Sequence, residues 1–151
     1  MLKIAYKEIY QHPLPEGHRF PMLKYELIPK QLLYEGIISN ENLFEPNECS
    51  EENILLTHDY NYWKNLNQLK LTESEMRRIG FPLSSKLITR EITIMQGTID
   101  CALYALQFGC AMNIAGGTHH AFTNKGEGFC MLNDMAIAAN YLLKNKLAER
   151  I

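Results

Sequence analysis

The chain has 151 residues, 46% hydrophobic and 21% charged, with a formal net charge of −2. That is the composition of one ordinary globular domain. It excludes the basic footprint of a nucleic-acid or anionic-membrane binder, and no apolar run approaches the roughly 18 residues of a membrane span. Neither nucleic acid nor membrane is therefore expected as a partner. The opening "MLKIAYKEIY" has no basic region leading into a long apolar run, so it does not read as a secretion signal. Cys49, Cys101, Cys110 and Cys130 show no CxxC spacing, so reduced thiols in a cytoplasmic protein are expected. Cys101 and Cys110 fall in apolar segments and read as small core residues.

In chain order, "LKIAYKEIY" alternates apolar and polar residues and predicts a strand over 2–6. "QHPLPEGHRFP" is loop, marked by proline and glycine. Residues 22–36 are helical in composition, with Pro29 expected to divide them into two short helices, the second closed by Gly36. "NENLFEPNE" reads as a connector. Ser50 is then a candidate N-cap for "EENILL", and "DYNYWKNLNQL" places Tyr62, Leu66 and Leu69 at helical spacing. Thr72 and Glu75 match a capping box, and Gly80 with Pro82 supplies the stop.

The longest element is predicted over 85–108, capped by Ser84 or Ser85 and ended by Gly109. Its apolar face runs through Ile88, Ile92, Met95, Ile99, Ala102 and Leu106. Gly97 within it costs about 1 kcal/mol relative to alanine and marks close packing against another element. Residues 110–115 read as a buried strand, parallel to 2–6, and "NDMAIAANYLLKNK" returns to helix with Asn133 or Asp134 as cap. Strand, loop and helix in this order predict an α/β fold with a parallel sheet, whose ligands bind beyond the carboxyl ends of the strands.

"GGTHHAFTNKGEGFC", residues 116–130, sits at such a place. In a strand, neighbouring side chains point to opposite faces, so His119 and His120 have no shared task there. In a loop opened by Gly116 and Gly117 both rings are free to turn toward one point. Imidazole titrates near neutrality, so two convergent rings are able to divide proton acceptance and donation between them, or to ligate a metal.

The longer stretch "GGTHHAFTNKGEGFCMLNDMAIAANYLL" resembles the signature of the zinc-dependent histone deacetylase superfamily, and "NKGEGFC" is most like its class IV, bacterial-type branch. "HPLPEGHRFPM" resembles the family's N-terminal segment, and "EMRRIGFPLS" also fits. The resemblance implies a three-layer α/β/α fold with a parallel sheet, arginase/deacetylase-like, of which residues 1–151 form the N-terminal portion of one domain. It implies hydrolysis of an acylated lysine or acylated amine. His119 and His120 would be the acid–base pair flanking a metal-bound water. Gly128 would meet the substrate amide through its carbonyl, and Phe129 would wall the acyl tunnel. Arg19 would stand at the base of the channel. Cys130 would adjoin the site without being a ligand.

The same resemblance places the zinc ligands, their orienting carboxylates and a carbonyl-polarising tyrosine beyond Ile151, leaving no metal ligand within these residues. On that reading the chain is inactive alone. It would associate with itself or with a complementary C-terminal fragment along an exposed strand near residues 2–6. The alternatives are a non-catalytic truncated relative and a small α/β module in which the histidine pair captures a metal with Cys130. His12, His18 and His58 read as structural or surface residues, and Asp134 as a helix cap rather than a catalytic acid.

Overall fold

A computed structural model of the chain describes residues 1–151. Strand β1 (Lys3–Ala5) lies in the middle of a three-stranded parallel sheet. On one side it pairs with β3 (Ala111–Asn113), in the register Lys3 to Ala111, Ile4 to Met112 and Ala5 to Asn113. On the other it pairs with β2 (Leu43–Phe44), Ile4 opposite Leu43. The predicted pairing of 2–6 with 110–115 is thus present. The predicted open edge on β1 is not, because the "connector" at 43–44 forms a third strand. Two residues are too short to show a period of two, which is why the sequence did not mark them.

Helix α5 (Ser85–Phe108) packs along β1 and β3, its N-terminus capped by Ser84 and its C-terminus ended by Gly109 in the left-handed conformation. Ile88, Met95 and Ile99 are buried as the periodicity required, whereas Leu106 near the end of the same stripe is 58% exposed. Gly97 does mark a close approach. A Cβ built there would stand 2.4 Å from the Tyr10 hydroxyl, 2.9 Å from Asn113 Nδ2 and 3.2 Å from Pro46. Arg90 and Glu91, an adjacent pair on α5, are both buried. The Arg90 guanidinium donates to the Tyr10 carbonyl at 2.7 Å and to the Glu91 carboxylate, tying α5 to the turn after β1.

Pro29 does not divide its helix. Helix α1 (Lys24–Tyr34) is continuous, with Pro29 and Tyr25 buried on it. The proline removes one donor from the helix ladder, and packing of its buried face holds the rest. Helices α2 (Glu51–Ile54), α3 (Tyr60–Asn67) and α4 (Glu73–Ile79) are short and strongly capped: Ser50 accepts from Asn53, Asp59 from Asn61 and Tyr62, and Thr72 closes the capping box with Glu75. Leu69 falls outside α3 with φ of +58° and is exposed, while Trp63 joins Tyr62 and Leu66 inside. Helix α6 (Asp134–Lys144) packs on α5.

Strand β3 departs from its predicted burial. Asn113 faces α5, donating to the Ile94 carbonyl at 2.9 Å, but Met112 on the opposite face is 56% exposed although its β1 neighbour Ile4 is 1% exposed. Cys110, expected in the core, is exposed just before this strand. No helix is long and apolar enough to cross a membrane.

Candidate active site

The loop after β3 is shaped by a carboxylate. Asp134, first residue of α6 and 1% exposed, accepts from Gly117 N–H (3.0 Å), Thr118 N–H (2.7 Å), the Thr118 hydroxyl (2.8 Å) and the Thr98 hydroxyl (2.6 Å). The turn is built to admit it. A Cβ on Gly116 would lie 2.9 Å from Asp134 Oδ2, and Gly117 has φ of +89°. The cap of α6 is Asn133, whose Oδ1 accepts from Ala136 N–H at 3.0 Å. Of the two cap candidates the sequence offered, one caps the helix and the other folds the histidine loop. The signal was a carboxylate directly after the cap residue, but the Gly-Gly turn it serves is 17 residues upstream.

In that loop the rings of His119 and His120 lie with centroids 4.3 Å apart and planes at 37°, and both residues are exposed. Nδ1 of His119 is 2.9 Å from the Gly117 carbonyl, so it carries the hydrogen and leaves Nε2 as the proton acceptor. Asn133 Nδ2 donates to the Ala121 carbonyl at 3.0 Å and the His119 carbonyl at 3.4 Å, which brackets His120. The two imidazoles therefore converge on solvent from a backbone held on both sides.

Gly128 and Phe129 form the tip of a tight turn closed by Glu127 and Cys130, which exchange both backbone hydrogen bonds at 2.9 Å. Both tip residues are left-handed, with φ of +57° and +66°. Two-residue turns of the primed types require this, and a bulky side chain there is an outlier. Gly128 abuts His120, since a Cβ on it would stand 3.4 Å from the ring's Cγ. Phe129 is held by Phe20 (4.9 Å between centroids) and Phe81 (5.1 Å), and by backbone donation to Ile79 at 2.8 Å. The Arg19 guanidinium lies 5.0 Å over the Phe129 ring, with Arg19 itself exposed. His119, His120, Gly128, Phe129 and Arg19 thus form one contiguous run of contacts.

His18 is structural. One ring nitrogen pairs with the Gly80 carbonyl at 2.8 Å and the other accepts from Phe20 N–H at 3.1 Å, pinning the Arg19 segment to the end of α4. Cys130 is buried, and burial pushes its thiol pKa up. No three His, Cys, Asp or Glu side chains come together to hold a metal, so the module in which Cys130 joins the histidine pair at an ion is not what folds. A catalytic zinc takes three protein ligands and an open position. Two histidines, one already committed at Nδ1, do not fit that requirement.

The family description "Histone deacetylase domain" matches residues 18–151. The chain belongs to the histone deacetylase family. It is 43% identical to an uncharacterized protein of Picosynechococcus, over 98% of this chain and 49% of that one. It is 26% identical to the acetoin utilization protein AcuC of Staphylococcus aureus, over 91% of this chain and 38% of the relative. Histone deacetylase 2 of Arabidopsis thaliana is 29% identical over 89% of this chain and 36% of its own length. The fold matches a crystal structure of a histone deacetylase homologue from Aquifex aeolicus with a TM-score of 0.78 at 23% identity, covering 95% of this chain and 41% of that one. A homologue solved in complex with SAHA matches with the same TM-score. The chain thus spans about half the length, or less, of the relatives it matches.

Proposed function

We propose that the protein carrying this segment hydrolyses the amide of an acylated lysine or acylated amine, with His119 and His120 as its acid–base pair. The observation that supports this reading best is the convergence of the two rings, 4.3 Å apart, beside a Phe129 that its tight turn holds in the left-handed region and that Phe20 and Phe81 pack. Strain held in place by packed neighbours points to a side chain placed for a task. An aromatic wall of this kind suits the methylene stem of a lysine or amine, and the Gly128 carbonyl, which also accepts from the Cys130 thiol at 3.6 Å, keeps a second lone pair for its amide N–H.

The proton steps belong to this chain. With Nδ1–H of His119 given to the Gly117 carbonyl, its Nε2 is free to take a proton from the attacking water. His120, in ring contact with His119, is placed to hold charge or return a proton to the departing amine. Zinc, the cofactor that the resemblance implies, would polarise the carbonyl and activate the water, and it would need ligands other than these.

Turnover of an acetyl-lysine peptide and of an acetylated polyamine by the full-length protein tests the reading. His120→Ala should lower kcat by roughly 10²–10⁴ with little change in stability. Undiminished turnover of both substrates in that variant would remove the pair from the chemistry.

A further inference from the structure

His58 lies in the corner between α2 and α3, 3% exposed, and its two ring nitrogens face two separate parts of the histidine loop. Nε2 is 3.0 Å from the backbone nitrogen of Asn133. Nδ1 is 3.3 Å from the Thr123 carbonyl. A backbone N–H only donates, so Nε2 must be the bare nitrogen and Nδ1 the protonated one. A doubly protonated ring would set N–H against N–H at Asn133 and leave a buried donor without a partner.

What His58 holds in turn holds the pair. Asn133 gives its side-chain amide to the carbonyls of His119 and Ala121, on either side of His120. Thr123 receives a second donor from the same corner, Asp59 N–H at 2.9 Å. The ionisable neighbours are otherwise occupied: the Asp59 carboxylate caps α3, and Tyr62, whose ring is 6.0 Å away, donates to the Met131 carbonyl. The ring of His58 is therefore a fixed strut between the corner and both flanks of the loop.

We propose that His58, as the neutral imidazole protonated at Nδ1, is a positioning residue that sets the His119–His120 pair through Asn133 and Thr123. Its catalytic meaning rests on the acid–base reading of that pair, but the strut itself does not.

Imidazole NMR and amide exchange on the intact protein test it. His58→Phe keeps a ring and removes both hydrogen bonds, whereas His58→Gln retains an acceptor and a donor. His58→Phe should move the titration midpoint of His119 or His120 by about half a unit or more. It should also speed exchange of the Phe122 amide, which donates to the Lys125 carbonyl, by roughly tenfold. His58→Gln should stay close to the wild type in both. A folded His58→Phe that is merely less stable, with both midpoints in place, overturns the proposal. If that variant does not fold, the wild type decides: the His119 and His120 signals must move again at the pH where His58 itself titrates, and their independence of it overturns the proposal. None of these readouts needs turnover, so displaced histidine signals in a protein without amidase activity would sink the acid–base reading and leave the strut standing.

Discussion

Burial, rather than a neighbouring charge, lowers the pKa of His58, and its backbone partners only partly oppose that shift. His12 is lowered as well, again first by burial, with Arg90 and Lys86 adding to it. Above the ordinary imidazole value of 6.5 both rings are neutral whether the chain is folded or not, and their contribution to stability is complete. As the pH falls from there the unfolded chain takes up protons that the native rings refuse, so stability is lost until the native pKa values are passed. Glu75, whose carboxyl is held low by the Thr72 hydroxyl and backbone, adds its own loss only below 4.5. Glu91 and Asp100, whose carboxyls burial pushes up, act in the opposite sense, so the readout is the difference: between neutral pH and about pH 5 the urea midpoint of His58→Gln should rise relative to that of the wild type. A variant with the wild-type slope would mean that His58 is neutral in the native state for no energetic reason. No sequence pattern announced any of this, because the partners of His58 are 65 and 75 residues away.

Elements were legible where their determinants are local. Ser50, Thr72 with Glu75, Ser84, Gly80 and Gly109 end their helices as their side chains or lack of one require, within three or four residues of the groups they satisfy. The histidine pair and the Gly-Phe turn were legible for the same reason, being one short stretch. Legibility failed where a distant element decides, as for the β2 pairing and for Pro29 inside α1. Gly97 joins the two cases. Its presence in α5 signalled close packing, but only the fold shows what is packed. Gly97→Ala gains about 1 kcal/mol of helix propensity. It also drives a methyl to within 2.4 Å of the buried Tyr10 hydroxyl, with Asn113 Nδ2 and Pro46 behind it. Overpacking of that kind costs typically 1–3 kcal/mol, so thermal or urea unfolding should show a net loss despite the better helix former. A stabilised Gly97→Ala would mean that Tyr10 moves aside freely.

At the scale of the molecule, β1 is covered on both sides, and the open edges belong to β2 and β3. Apolar side chains lie open beside β3. Met112 and Met135 are 56% and 55% exposed, and a groove lined by Cys101, Ala102, Ala105 and Ala111 runs beside the strand. Unpaired donors and acceptors along β3 next to such a groove form a template for another strand. Leaving even about 500 Å² of apolar surface in water forfeits about 12 kcal/mol, comparable to the roughly 5–15 kcal/mol that stabilises a whole domain. The 151-residue polypeptide, prepared as a separate chain, should therefore associate with itself or take up a complementary C-terminal fragment. The contact should be at β3 rather than at β1. Size-exclusion chromatography should show a species larger than the monomer, and Met112→Lys, which puts a charge on the open face of β3, should shift it toward the monomer. Because no three ligands converge in these residues, metal analysis of the same fractions should find no retained zinc. A compact monomer at every concentration, or one tight zinc per chain, would mean that the β3 face is covered and the ligands supplied from within this segment after all.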